Sequence, residues 1–103
     1  MLFAFSVAPT TSDSDDGSVS RAVADAVRVG RESGLPHETT AMFTTIEADW
    51  DEAMPVIKRA CEAVARFGPR VSLVLKADLR PGFEGQLSAK VDRVEEHLRS
   101  DEG

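Results

Sequence analysis

The chain has 103 residues, of which 42% are hydrophobic and 29% charged, with a formal charge of -6. That length holds one domain rather than two. The acidic excess, 18 Asp and Glu against 12 Lys and Arg, excludes the basic footprint that a nucleic-acid backbone or an anionic membrane surface would require.

Leu2 to Val7 reads as a strand, with Phe3, Phe5 and Val7 on one side and Leu2, Ala4 and Ser6 on the other. Both sets are largely apolar, as in a central strand, and Pro9 stops it. The same apolar stretch is too short to span a membrane and lacks the basic start of a secretory signal. The expected setting is cytoplasmic. Thr10 to Gly17 is a polar, acidic loop at a strand end, a favoured place for ligands, but without EF-hand spacing.

Ser18 is placed to cap a helix running to about Ser33. Val19, Ala22, Val23, Ala26, Val27 and Gly30 form its small-residue stripe. Gly34 ends this helix and Pro36 delays any restart. His37 to Ala48 is one extended region or a tight strand pair; its threonines favour strand, and no Asn-Gly or Asp-Gly marks a turn.

Asp49 caps a second helix, with Glu52 at capping-box spacing. Ala53, Ile57, Ala60, Cys61 and Val64 give the buried stripe, and Pro55 predicts a local distortion. Cys61 is the lone cysteine, so no internal disulfide forms and the thiol reads as packed rather than nucleophilic. Gly68-Pro69 stops the helix.

Val71 to Ala77 is the clearest strand. Val71, Leu73, Leu75 and Ala77 should meet the helices, while Ser72, Val74, Lys76 and Asp78 face away. A turn with Pro81, Gly82 and Gly85 leads to a third helix over about Gln86 to Arg99. Leu87, Val91, Val94 and Leu98 make its narrow stripe, suited to a sheet edge or another subunit. Ser100 to Gly103 should fray.

Splitting the Thr-rich region gives an α+β chain: a ferredoxin-like βαββαβ sandwich with an antiparallel sheet and an additional C-terminal helix. Residues 1–103 form one domain with an ordered core over about 2–99. The sheet face without helices carries Leu2, Ala4, Val74 and one set from the Thr-rich pair. It is expected to be too apolar to stay exposed, which predicts a homo-oligomer.

No catalytic set is legible. His37 and His97 are too few and too scattered for a metal site, and nothing places a serine beside either. Gly82-Phe83-Glu84-Gly85 matches no phosphate loop. What remains is polar residues on extended segments. Glu47, between Ile46 and Ala48, must be solvated, paired or ligand-bound. Pairing with Lys76 is one reading; recognition of an amino-heterocycle, with Phe43 covering the ring, is the other.

Several segments carry a resemblance: Phe3-Ala4-Phe5-Ser6-Val7-Ala8-Pro9, Ser18-Val19-Ser20, Thr44-Thr45-Ile46-Glu47-Ala48, Lys76-Ala77-Asp78-Leu79-Arg80 and Lys90-Val91-Asp92-Arg93-Val94-Glu95. In this order they resemble the thiamine-binding protein family over residues 2 to 98. The resemblance implies a ferredoxin-like core with an added helix, and sheet-to-sheet dimers that pair again into tetramers. It further implies a small cationic or amino-pyrimidine ligand, thiamine or its hydroxymethylpyrimidine part, with no enzymatic step and no other cofactor. The ligand-binding positions it suggests are Ser6, Thr10, Thr11, Ser18, Ser20, Phe43, Thr44, Glu47, Lys76 and Asp78. Phe43 stands where the family commonly has glycine, so it fills the pocket or supplies a stacking face. The alternative is a structural or regulatory interaction protein whose oligomer surface is its function.

Overall fold

Strict alternation of large side chains on one side fixes the first strand, β1 (Leu2–Pro9), whose Phe3, Phe5 and Val7 are all at most 3% exposed. The computed structural model describes residues 1–10 and 16–102. After β1 come α1 (Asp16–Glu32), β2 (His37–Thr39), β3 (Thr44–Glu47), α2 (Trp50–Ala65), β4 (Val71–Asp78) and α3 (Gln86–Glu102). The four strands run in the order β2-β3-β1-β4, with every pairing antiparallel. This is the expected α+β topology of two interleaved βαβ units plus a C-terminal helix. β1 runs two residues past Val7, because Pro9 still lies opposite Val71 and Thr10 then donates its N–H to the Arg70 carbonyl at 3.1 Å.

The Thr-rich region splits at residues 40–43 without any turn glycine. Thr40 supplies the turn chemistry itself: its Oγ1 accepts the N–H groups of Met42 and Phe43 and donates to the Phe43 carbonyl, while its own N–H donates to that carbonyl at 2.8 Å. The helices correct three expectations. α1 starts at Asp16, so Ser18 lies inside the helix rather than capping it. Asp49 has extended backbone at the α2 N-cap but makes no side-chain cap bond, so the capping box does not form. α3 continues past Arg99 to Glu102, since no glycine or proline intervenes to stop it. Pro55 is held inside α2: it removes the bond to the Asp51 carbonyl, and Asp51 is exposed, so water can satisfy that group.

One core joins Phe3, Phe5, Val7 and Ile46 of the sheet to Ala22 and Ala26 of α1 and to Ala53, Val56, Ile57, Ala60 and Val64 of α2. Alanines at the helix contacts let both helices lie close on the strands. The Trp50 ring meets Phe3 edge-on, with centroids 5.9 Å apart. As expected, the β4 side chains Leu73, Leu75 and Ala77 fall on the helix face, opposite Val7, Phe5 and Phe3. The helices stop short of this edge, however, and Leu73 stays 42% exposed.

The other face differs from expectation. It carries Leu2, Ala4, Ser6 and Ala8 beside Thr45, Glu47, Ser72, Val74, Lys76 and Asp78. Small and polar side chains dilute its apolar character, and among its larger apolar groups Leu2 is half-buried while Val74 is 53% exposed.

α1 lies close on the sheet at Gly30. A Cβ there would sit 3.2 Å from Thr44 Cγ2 and 3.4 Å from Phe5 Cζ. Gly30→Val is therefore expected to cost about 1–3 kcal/mol through overpacking, read as a lowered midpoint in urea denaturation.

Candidate functional site

Register places Phe5, Thr44 and Thr39 in one row across β1, β3 and β2, all on the helix face. Above that row, α1 presents Val23, Ala26 and Val27, and the 40–43 turn closes one side. Between them lies a cleft of about 60 Å³, also lined by Ser6, Met42 and Phe43. At about 15 Å³ per water position, that volume matches roughly four waters, or one small ring. Thr44 is 4% exposed. The Thr39 Oγ1 is buried and has no hydrogen-bond partner among the described residues. A buried hydroxyl left in that state costs about 1–3 kcal/mol, which a ligand or water with matching polarity would offset.

Of the sequence-predicted set, Phe43 and Thr44 line this cleft; Ser6 of β1 also borders it, although strand alternation turns its side chain to the open sheet face. Thr10 ends the same strand; its N–H and Oγ1 both donate to the Arg70 carbonyl, at 3.1 and 3.3 Å. Ser20 is exposed on α1, one turn before Val23. Thr11 and the Ser18 side chain lie outside the described residues. Thr39 and Val23 were not singled out from sequence; strand alternation marks Thr39 as facing the helices only once the hairpin register is known.

Glu47, Lys76 and Asp78 lie towards the opposite end of β1. The Glu47–Lys76 pair, one of the two readings of Glu47, does not form, because β1 lies between β3 and β4 and Lys76 shares its row with Ala4 and Thr45. Instead the Glu47 carboxylate accepts the N–H groups of Gln86 and Leu87, at 3.0 and 3.4 Å. It thereby satisfies two of the free donors at the start of α3, where negative charge also suits the helix dipole. The aromatic near Glu47 is Phe83 rather than Phe43, with the Arg80 guanidinium 3.6 Å above the Phe83 ring. Phe83, Glu47, Asp49, Glu52, Met1 and Leu87 help to line a second, open pocket of about 620 Å³.

Among the described residues, no three His, Cys, Asp or Glu side chains converge as a metal site. Cys61 is half-buried, and burial, then the neighbouring Glu62 charge, push its thiol above the ordinary range, as suits a packed group. No described helix is long and apolar enough to cross a membrane.

Fold and cleft together define a small ferredoxin-like α+β domain with a hydroxyl-lined cleft under its first helix. Residues 3–95 match the family described as Thiamine-binding protein, and the chain belongs to that family. It is 50% identical over 99 residues to UPF0045 protein Mb1933 of Mycobacterium bovis, spanning 95% of this chain and 94% of that one. The crystal structure of MJ1052 from Methanocaldococcus jannaschii superposes with a TM-score of 0.79 at 30% identity, over 92% of this chain and 95% of that one. TM0486 from Thermotoga maritima, named for thiamine biosynthesis or salvage, superposes with a TM-score of 0.72 over 86% of this chain and 94% of that one. At 21% identity this last likeness carries the fold alone.

Asp78 offers a titration test at the α3 end of the molecule. Its hydrogen bond to Lys90, followed by the Lys90 charge, holds its carboxyl below the ordinary range. A carboxylate depressed on folding contributes stability above its unfolded value of about 3.9, and that contribution is lost as pH falls through the folded value. Lys90→Met is expected to return the Asp78 midpoint upwards to the ordinary range in an NMR titration.

Proposed function

We propose that this protein binds thiamine or its hydroxymethylpyrimidine part in the cleft between α1 and the β2–β3 hairpin, without carrying out a reaction on it. One observation carries the reading: the buried Thr39 hydroxyl, without a partner among the described residues, belongs to a cleft also lined by Thr44, a position matched to the family's motifs, and by Phe43, which departs from them. An aminopyrimidine edge offers an amine donor and ring-nitrogen acceptors, and a threonine hydroxyl can answer either. Phe43 and the exposed Met42 at the rim supply aromatic and thioether surface for the ring faces. Membership of the thiamine-binding family supports the choice of ligand. Thr10 and Ser20 belong to the same end of β1 and α1 and form the outer part of the proposed site; Thr11 and Ser18 are proposed as contacts from the family resemblance alone. Glu47, Lys76 and Asp78 take no direct part in it.

The proposal has the chain working as a homo-oligomer of two or four copies in the cytoplasm, where a lone thiol such as Cys61 stays reduced. An interaction protein whose assembly surface is itself the function is the second reading; the exposed stripe of α3 favours it.

Calorimetry with thiamine and with hydroxymethylpyrimidine tests the site. Thr39→Val is expected to leave folding stability unchanged or raised, because it removes an unsatisfied buried hydroxyl, while weakening binding about tenfold. No heat with either compound, or equal affinity in wild type and variant, would contradict the assignment.

A further inference from the structure

α3 is attached at one end only. Gln86 is buried, Glu47 holds the first two amides, and Lys90 pairs with Asp78. Beyond that anchor, Val91, Val94 and Leu98 are 55%, 58% and 51% exposed, all in line with half-buried Leu87. Most helix stability in proteins comes from burying such a stripe rather than from intrinsic propensity. The spacing of four, three and four places these residues at the two seam positions of a heptad repeat.

We propose that the stripe of α3 is covered by α3 of a second copy, the two helices running parallel about a two-fold axis. Charge decides the orientation. With Val91 and Leu98 at one seam position and Leu87 and Val94 at the other, Lys90 and His97 flank the seam on one side and Glu95 flanks it on the other. Parallel helices set each flank against the opposite flank of the partner, so Lys90 of one copy meets Glu95 of the other, twice by symmetry. Antiparallel helices set like flanks together, bringing Lys90 towards His97 and Glu95 towards Glu95. Lys90 has three N–H donors, so it can serve Asp78 and a partner glutamate together. The stripe spans two heptads, fewer than the three or four of a free-standing coiled coil, so the seam holds as one part of a larger contact between subunits.

The inference rests on the reading of the chain as a homo-oligomer, and the test separates the two. In a Cys61→Ala background, Leu98→Cys is oxidised gently and run on a non-reducing gel, with light scattering for mass. Because Leu98 is exposed in the subunit, the change leaves folding intact. Parallel helices bring the two Leu98 backbones within disulfide reach, about 4.4–6.8 Å between Cα atoms. The expected result is a crosslinked dimer as the main species, and none between Leu98→Cys and Leu87→Cys chains when mixed. Crosslinks only in the mixture would overturn the parallel arrangement. A multi-copy species with no Leu98 crosslink would overturn the seam while leaving self-association standing. A monomer of 11.1 kDa would overturn both.

Discussion

The register of β1 between its two neighbours is the constraint on which the rest of this domain depends. One row of backbone pairing sets Thr44 beside Phe5 and, one strand further out, Thr39 beside Thr44. Another row sets Glu47 beside Leu2 and Leu2 beside Asp78. A slip of one residue would turn Phe3, Phe5 and Val7 outwards and leave α1 and α2 with nothing to cover. Burial of those three side chains, each worth about 1.5–3 kcal/mol on transfer from water, holds the register. The polar residues of both ends are positioned by it.

The two ends of β1 then acquire different chemistry. At its C-terminal end α1 comes down so closely that a side chain at position 30 would press on Thr44 and Phe5. Towards the start of the helix, at Val23, Ala26 and Val27, lies a cleft lined by hydroxyls and apolar groups. At its N-terminal end the sheet meets the start of α3, and carboxylates answer helix amides and Lys90. The first arrangement leaves a buried hydroxyl without a partner among the described residues, while in the second Glu47 and Asp78 are occupied by the α3 amides and by Lys90. This division is why a ligand is assigned to the cleft and an architectural role to Glu47.

Much of the fold was legible in the sequence. β1, β4 and α2 show clean periods of two or three to four, and Gly34, with φ of 82°, ends α1 where expected. The hairpin break was not legible, because Thr40 makes its turn with a side-chain hydroxyl where glycine or asparagine is the usual sign. The role of Glu47 was hidden for a different reason. Its partners lie 39 and 40 residues away and are backbone amides, which carry no sequence signature. Of the candidate positions at the cleft, Thr44 came from motif resemblance and Phe43 from its aromatic ring, while Thr39 became visible only when the hairpin register and burial of its hydroxyl were known. The mixed character of the open sheet face reflects alternation: the partners of Leu2 and Ala4 are Glu47, Asp78, Thr45 and Lys76, which sequence order alone does not pair.

NMR mapping of hydroxymethylpyrimidine onto the labelled chain tests the central claim most directly. The account predicts shifts confined to Val23, Thr39, Phe43 and Thr44, with the amides of Gln86 and Leu87 unmoved. Shifts centred on Glu47, Phe83 and the start of α3 would place the ligand at the wrong end of β1 and contradict it.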